Sequence, residues 1–223
     1  PAGGVWNTRI YNTWFGLSQS KFGCFIEPSG SGVVDGITFT GCEFTDNGDC
    51  GLIVNGSGAK NWSVTGGHSG GNTNSGIRAA GGTTDFTITG HRAGNIAGRG
   101  VNNVGITVDA AASDRYSVSG CNLLGNTSGG LVDLGTGTNC MVVDNLGYNG
   151  ASSVIGLTVG ASPWGYTAGH TPETIYVLGG TVSDVKIDGN TVQNATACTI
   201  QLMPNETMSI TYSVLPTVLR KRN

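Results

Sequence analysis

The sequence predicts an all-β solenoid, a chain wound into about seven coils of short parallel strands and closed by a strand segment outside the repeat. Three observations carry this. Glycine supplies 39 of 223 residues, charged residues only 11% and aromatics 7%, a turn-rich composition poor in helix formers. Apolar residues still reach 38% and the formal net charge is only −3, which excludes the sparse-core, high-charge regime of disordered chains. The same pair of short strands also returns about every 25 residues, and such a period means stacked units.

The first strand of each coil alternates apolar with polar and closes on glycine. Its copies are Gly36–Gly41, Asn61–Gly66, Asp85–Gly90, Arg115–Gly120 and Asp184–Gly189, with a weaker one at Cys140–Asp144. The second strand opens on a small residue, as in Gly51-Leu52-Ile53-Val54, and recurs at Gly76, Gly105, Gly130 and Gly156, in steps of 25, 29, 25 and 26 residues. Gly23–Ile26 supplies an earlier coil and Cys198–Gln201 a last one. Leu52, Ile77, Ile106, Leu131 and Leu157 share one template position, so they are expected in a single inward stack. Asn47-Gly48, Asn55-Gly56 and Asn149-Gly150 are hairpin signals. Against them, the segments repeat in the same direction and their apolar columns align, which favours parallel stacking at ~4.8 Å.

Several function classes fall away. No apolar run approaches the ~18 residues of a membrane span. The 11 basic residues are scattered, which argues against nucleic acid as a partner. Arg220-Lys221-Arg222 is the only basic cluster and reads as a solubilising tail. The six cysteines lack the two-residue spacing of a metal knuckle, so no metal is expected and buried free thiols are. Nothing in the sequence calls for a cofactor. The chain begins at Pro1 without Met, a basic start or an apolar stretch, so no signal peptide is visible and a piece of a longer chain, with an upstream part, is expected.

Asp188-Gly189-Asn190-Thr191-Val192-Gln193-Asn194, with looser copies at Gly41–Asp46 and Gly90–Asn95, resembles the repeat of right-handed parallel β-helix proteins. The resemblance runs over roughly residues 5–202. It implies a parallel β-helix over 1–202 and a C-terminal capping or trimerisation segment over 203–223. Within that class the chain looks most like the C-terminal part of a bacteriophage tailspike. The residues behind this are the departure from the repeat at Met203-Pro204-Asn205-Glu206 and the small outward row Thr38, Thr40, Ser63, Thr65, Thr87, Thr89, Ser117 and Ser119. The resemblance implies a homotrimer in the virion tail, assembled in the host cytoplasm, that recognises a bacterial surface polysaccharide and, where catalytic, depolymerises it as a glycoside hydrolase or lyase. Two other readings stand beside it. One is a non-catalytic structural or receptor-binding spike. The other is a secreted, extracellular polysaccharide-degrading enzyme of the pectinase-like class. Gly48-Asp49-Cys50 and Gly66-Gly67-His68-Ser69-Gly70 look like fragments of polygalacturonase signatures, but one Asp stands where two are needed.

Candidate site residues fall into two groups. Glu43, His68 and Arg92, with Asn122, occupy equivalent turn positions on successive coils and offer polar contacts to a sugar. Arg78 and Asp109 lie on the outer side of the second strand. The longest departure from the repeat, 162–174, brings Trp164, Tyr166, His170 and Glu173. Trp164 and Tyr166 suit stacking on sugar rings, and His170 suits hydrogen bonding. Asp109 and Glu173 are the expected catalytic pair, because glycoside cleavage needs two carboxylates about 5–9 Å apart. Asp133 falls at an inward position, where a one-residue slip placing Leu134 inward is the simpler expectation. Trp6, Tyr11 and Trp14 read as a cap over the first coil, or as packing against coils upstream, rather than as a sugar platform.

Overall fold

The computed structural model describes residues 4–149 and 153–223; Pro1 and Gly150, which bear on the upstream part and the Asn149-Gly150 turn, lie outside the described residues. The chain divides into two compact units. One comprises Pro1–Cys140 with Asp144–Tyr148, the other Met141–Val143 with Asn149–Asn223.

The first unit is a parallel β-helix, about six turns rather than the seven expected. Each turn contributes strands to three sheets. The first sheet pairs Arg9–Tyr11, Thr38–Thr40, Ser63–Thr65, Phe86–Thr89 and Tyr116–Ser119, all parallel. The second pairs Trp14–Gly16, Glu43–Thr45, His68–Gly70 and Arg92–Ala93, and single bridges extend it through Asn122 to Leu146. The third pairs Cys24–Ile26, Leu52–Asn55, Ser75–Ala80, Val104–Val108 and Gly129–Asp133. A short fourth sheet, Gly4–Trp6, Val33–Asp35 and Ala59–Lys60, lines the early turns.

Parallel pairing without slippage places like residues over like. Leu52, Ile77, Ile106 and Leu131 are aligned and buried, as the repeat predicts. The glycine closing each first strand has a physical cause. Gly41, Gly66, Gly90 and Gly120 turn the corner at φ 62–64°, a left-handed conformation that costs other residues steric strain. The opposite corner uses Asn7, Gly36, Asn61, Asp85 and Arg115, also at positive φ.

The core carries polar and aromatic ladders as well as aliphatics. The Asn47 Nδ2 donates to Asn72 Oδ1 (2.9 Å), Asn72 to Asn102 (2.8 Å) and Asn102 to Asn126 (3.2 Å). Each amide also donates to a backbone carbonyl, as Asn72 does to Phe44 (2.9 Å), so buried polar groups are satisfied inside the rod. The rings of Trp62, Phe86 and Tyr116 stack at 4.5 and 4.8 Å. The slip expected at Asp133 does not occur: Asp133 keeps register with Val108 and Leu134 is 55% exposed. The Tyr116 hydroxyl donates to Asp133 at 2.5 Å, giving the inward carboxylate a partner. The six cysteines are free thiols, all but Cys24 buried.

The second unit departs from the expected repeat. Its strands pair antiparallel in two four-stranded sheets. One runs Ile155–Leu157, Thr217–Arg222, Glu173–Leu178, Cys198–Leu202, and the other Trp164–Thr167, Thr207–Val214, Thr181–Ile187, Asn190–Gln193. Ile175, Val177, Ile200, Leu202 and Val218 of one sheet and Val182, Val185, Met208 and Ile210 of the other share one core, which makes a β-sandwich. Three expectations are corrected here. Leu157 pairs with Val218 and does not extend the Leu131 stack. Asp184–Gly189 and Cys198–Gln201 are not further coils. The 162–174 stretch is not a loop, since it supplies two strands of the sandwich. The physical reason is that alternation with a period of two fits parallel and antiparallel partners alike. The expected boundary at 202 also falls inside this unit, because Thr207–Val214 and Thr217–Arg222 are inner strands of the two sheets. Ile210 is buried within the chain, Tyr212 is half-buried and Val214 is 57% exposed.

Candidate functional site

Parallel register places Trp14, Glu43, His68, Arg92, Asn122 and Leu146 in one row of the second sheet. Their neighbours Phe15, Phe44, Ser69 and Ala93 alternate to the inside, where Phe44, Ser69 and Ala93 are buried. The row therefore faces outward. The expected trio Glu43, His68 and Arg92 is brought together, with His68 Nε2 3.4 Å from Glu43 Oε2. Arg92 donates to the Asn95 carbonyl at 2.7 Å.

Sequence reasoning missed how this row begins. Trp14 is 47% exposed, and its indole Nε1 donates to Thr45 Oγ1 at 2.8 Å. The ring lies over Gly16, where any Cβ would collide with it. The Arg99 guanidinium sits 5.6 Å from the ring centroid and pairs with Asp46 at 2.7 Å. Trp14 is one register step before Glu43, so the step that links Glu43 to His68 and Arg92 was the available signal. Arg99 comes from a turn outside the repeat, and no sequence pattern marks it.

Arg78 and Asp109 are also brought together. The Arg78 Nε donates to Asp109 Oδ2 at 2.5 Å, and its Nη2 reaches the same oxygen. This pairing follows from register, since Arg78 lies beside Thr107 on the next strand and Asp109 follows just beyond that strand's end.

The remaining expected residues lie in the sandwich. Trp164 and Tyr166 are half-buried and stack at 5.9 Å, packed on the core. Glu173 is completely buried. The Tyr166 hydroxyl donates to Glu173 Oε2 at 2.5 Å, and burial together with this carboxylate pushes the phenol up to about 12. Arg220 and Arg222 reach Glu173 Oε1 at 3.4 and 3.7 Å. The cluster Arg220-Lys221-Arg222 is thus not a solubilising tail but part of a strand. His170 accepts through its carbonyl from the Val142 amide at 2.6 Å. The expected acids divide between the units, Asp109 in the first and Glu173 in the second. Among the described residues, no group of three or more His, Cys, Asp or Glu is placed to hold a metal ion. No helix there is long and apolar enough to cross a membrane.

Stacked parallel coils with inward columns define the first unit as belonging to the parallel β-helix class. No family model matches the chain, and no curated protein matches it. Among solved structures it is similar to a tailspike protein, gp49, from Acinetobacter baumannii bacteriophage Fri1, a capsular polysaccharide depolymerase. The two are 10% identical with a TM-score of 0.24, over 97% of this chain and 66% of that one. The fold assignment stands on the strand pairing alone.

Proposed function

We propose that this chain is part of a phage tailspike, a homotrimeric receptor-binding protein that holds a bacterial surface polysaccharide on the outer face of its second sheet. The observation that carries the reading is Trp14, exposed on that face, backed by Arg99 and in line with Glu43, His68, Arg92 and Asn122. An exposed indole offers an apolar plane for the face of a sugar, while the polar neighbours offer hydrogen bonds to its hydroxyls. Four steps from Trp14 to Asn122 span roughly 19 Å, room for several linked sugars. In this reading the spike is built in the host cytoplasm, joins the virion tail through an upstream part of a longer chain, and needs no cofactor. The test is binding of the full chain to immobilised surface polysaccharides from candidate host strains. Trp14→Ala is expected to weaken binding at least ~tenfold, the loss of about 1.4 kcal/mol, and Arg92→Gln to weaken it less. Unchanged binding in both variants overturns the reading.

A second reading adds cleavage of that polysaccharide, by hydrolysis or elimination, with Asp109 in the first unit and Glu173 in the second each considered as an acid by itself. Asp109 is part-exposed beside Arg78, and Glu173 is buried among Tyr166, Arg220 and Arg222. Asp109→Asn and Glu173→Gln are each expected to abolish release of oligosaccharides. Full activity in both removes these acids from the chemistry, and binding without cleavage by the unaltered chain supports the purely adhesive spike. A monomer in solution favours the secreted pectinase-like enzyme instead.

A further inference from the structure

In the sandwich, the strand Thr217–Arg222 alternates its side chains, and Val218 faces the core. Arg220 and Arg222 share that parity, so both side chains leave the strand on its core-facing side, Arg220 largely covered and Arg222 exposed at the rim. In register beside them are Ile175 and Glu173 on one side, and Ile155 opposite Arg220 on the other. The side chain of Arg220 is only 17% exposed.

Among the described residues, Arg220 and Arg222 both face the single carboxylate of Glu173. Glu173 commits Oε2 to the Tyr166 hydroxyl at 2.5 Å. Its other oxygen meets Arg220 at 3.4 Å and Arg222 at 3.7 Å, both longer than the ~2.7–2.9 Å of a charge-assisted bond. Tyr166 also accepts from Arg220 Nη1 at 3.0 Å, which fixes the guanidinium in place. The Arg220 Nε is buried and has no hydrogen-bond partner among the described residues. A buried donor in that state costs free energy until an acceptor arrives. Beside the two arginines lies a cavity of about 180 Å³, lined by Ser153, Ile155, Arg220 and Arg222.

We propose that this cavity binds the oxyanion substituent, a carboxylate or a phosphate, of an acidic saccharide. The guanidinium fork of Arg220 matches two oxygens at once, Arg222 adds charge, the Ser153 hydroxyl donates, and Ile155 packs against the adjoining ring carbon. The volume is below the roughly 300 Å³ at which pockets enclose drug-sized ligands, so the substituent enters and the ring stays outside. Glu173 and Tyr166 act here as positioning residues for Arg220. The site shares no residue with the row headed by Trp14 and borrows from the proposed function only the idea that the ligand is a glycan.

The test is calorimetry on the full chain with four probes: glucuronate, glucose 1-phosphate, glucose and inorganic phosphate. Saturable binding of glucuronate or glucose 1-phosphate, but not of glucose, is expected, and which of the two binds identifies the substituent. Arg220→Gln and Arg222→Gln are each expected to weaken it about tenfold or more. Arg220→Lys keeps the charge without the fork and separates ligand recognition from folding, with an intermediate affinity expected. Binding of inorganic phosphate with neither acidic sugar overturns the proposal, as does affinity unchanged in both glutamine variants. Trp14→Ala is expected to leave glucuronate binding intact. A Trp14→Ala chain that loses polysaccharide yet keeps the acidic sugar supports this site and the adhesive face separately.

Discussion

At the scale of single residues, the β-helix owes much of its specificity to buried polar groups with assigned partners. His91 is fully buried in the rod, where its Nδ1–H donates to the Gly66 carbonyl (2.7 Å) and the Ser69 hydroxyl donates to Nε2 (3.1 Å). Burial, with a smaller contribution from His68, pulls its pKa down to about 4 from 6.5. The unfolded chain therefore binds more protons than the native one between those values. Stability is full above pH 6.5 and is lost as pH falls toward 4, by about 3 kcal/mol at most. Urea unfolding at intervals from pH 7 to pH 4 checks this, and His91→Gln is expected to flatten that part of the profile. Asp85 shows a different balance. Arg115 holds its carboxyl down at about 2, but the pair is exposed and contributes little to stability. Ile106 sits in the middle of the aliphatic column, so Ile106→Ala is expected to cost ~2–5 kcal/mol. Ile106→Asp places an unpaired charge there and is expected to prevent folding, read as loss of soluble, protease-resistant chain.

At the scale of elements, the ladders tie one turn to the next. Asn72 donates to Asn102 and to the Phe44 carbonyl, and it accepts from both the amide and the backbone N–H of Asn47. Removing its side chain leaves several buried groups without partners. Asn72→Ala is therefore expected to destabilise the β-helix by ~3 kcal/mol or more, on the usual cost of buried unsatisfied groups. The loss is expected to exceed that of Thr65→Ala on the exposed row, and chemical denaturation distinguishes them. The row Trp14–Glu43–His68–Arg92 was partly legible from spacing, because successive members fall near one repeat apart. What spacing does not show is which side of the sheet a residue occupies when coils differ in length. Sequence reasoning therefore held Trp14 to be a cap, whereas parallel register sets it at the head of the polar row.

At the scale of the whole molecule, the two units rest on different pairing rules. The inner position of Thr207–Val214 and Thr217–Arg222 means that deleting residues 203–223 removes the centre of both antiparallel sheets. Loss of the sandwich's own unfolding transition in calorimetry is expected, with aggregation through the exposed strand edges. A deletion variant that kept a cooperative sandwich transition would contradict the observed strand order. For the proposed spike, light scattering on the full chain is expected to give three times the chain mass.

The sequence by itself determined the all-β class, the period of the coils, the glycine and asparagine corners and the aliphatic column from Leu52 to Leu131. These are local properties, set by side-chain alternation and by the few residues that tolerate a left-handed corner. Tertiary structure decided where parallel stacking stops. Gly156-Leu157-Thr158-Val159 and Asp184–Gly189 carry the same alternation as true coils, yet they pair antiparallel inside a sandwich. The same holds for chemistry. Glu173, Tyr166 and Arg220 are far apart along the chain, and only neighbouring strands put the carboxylate, phenol and guanidinium within reach of one another. Alternation fixes which face of a strand is apolar, whereas the choice of partner strand depends on how much apolar surface the whole arrangement buries.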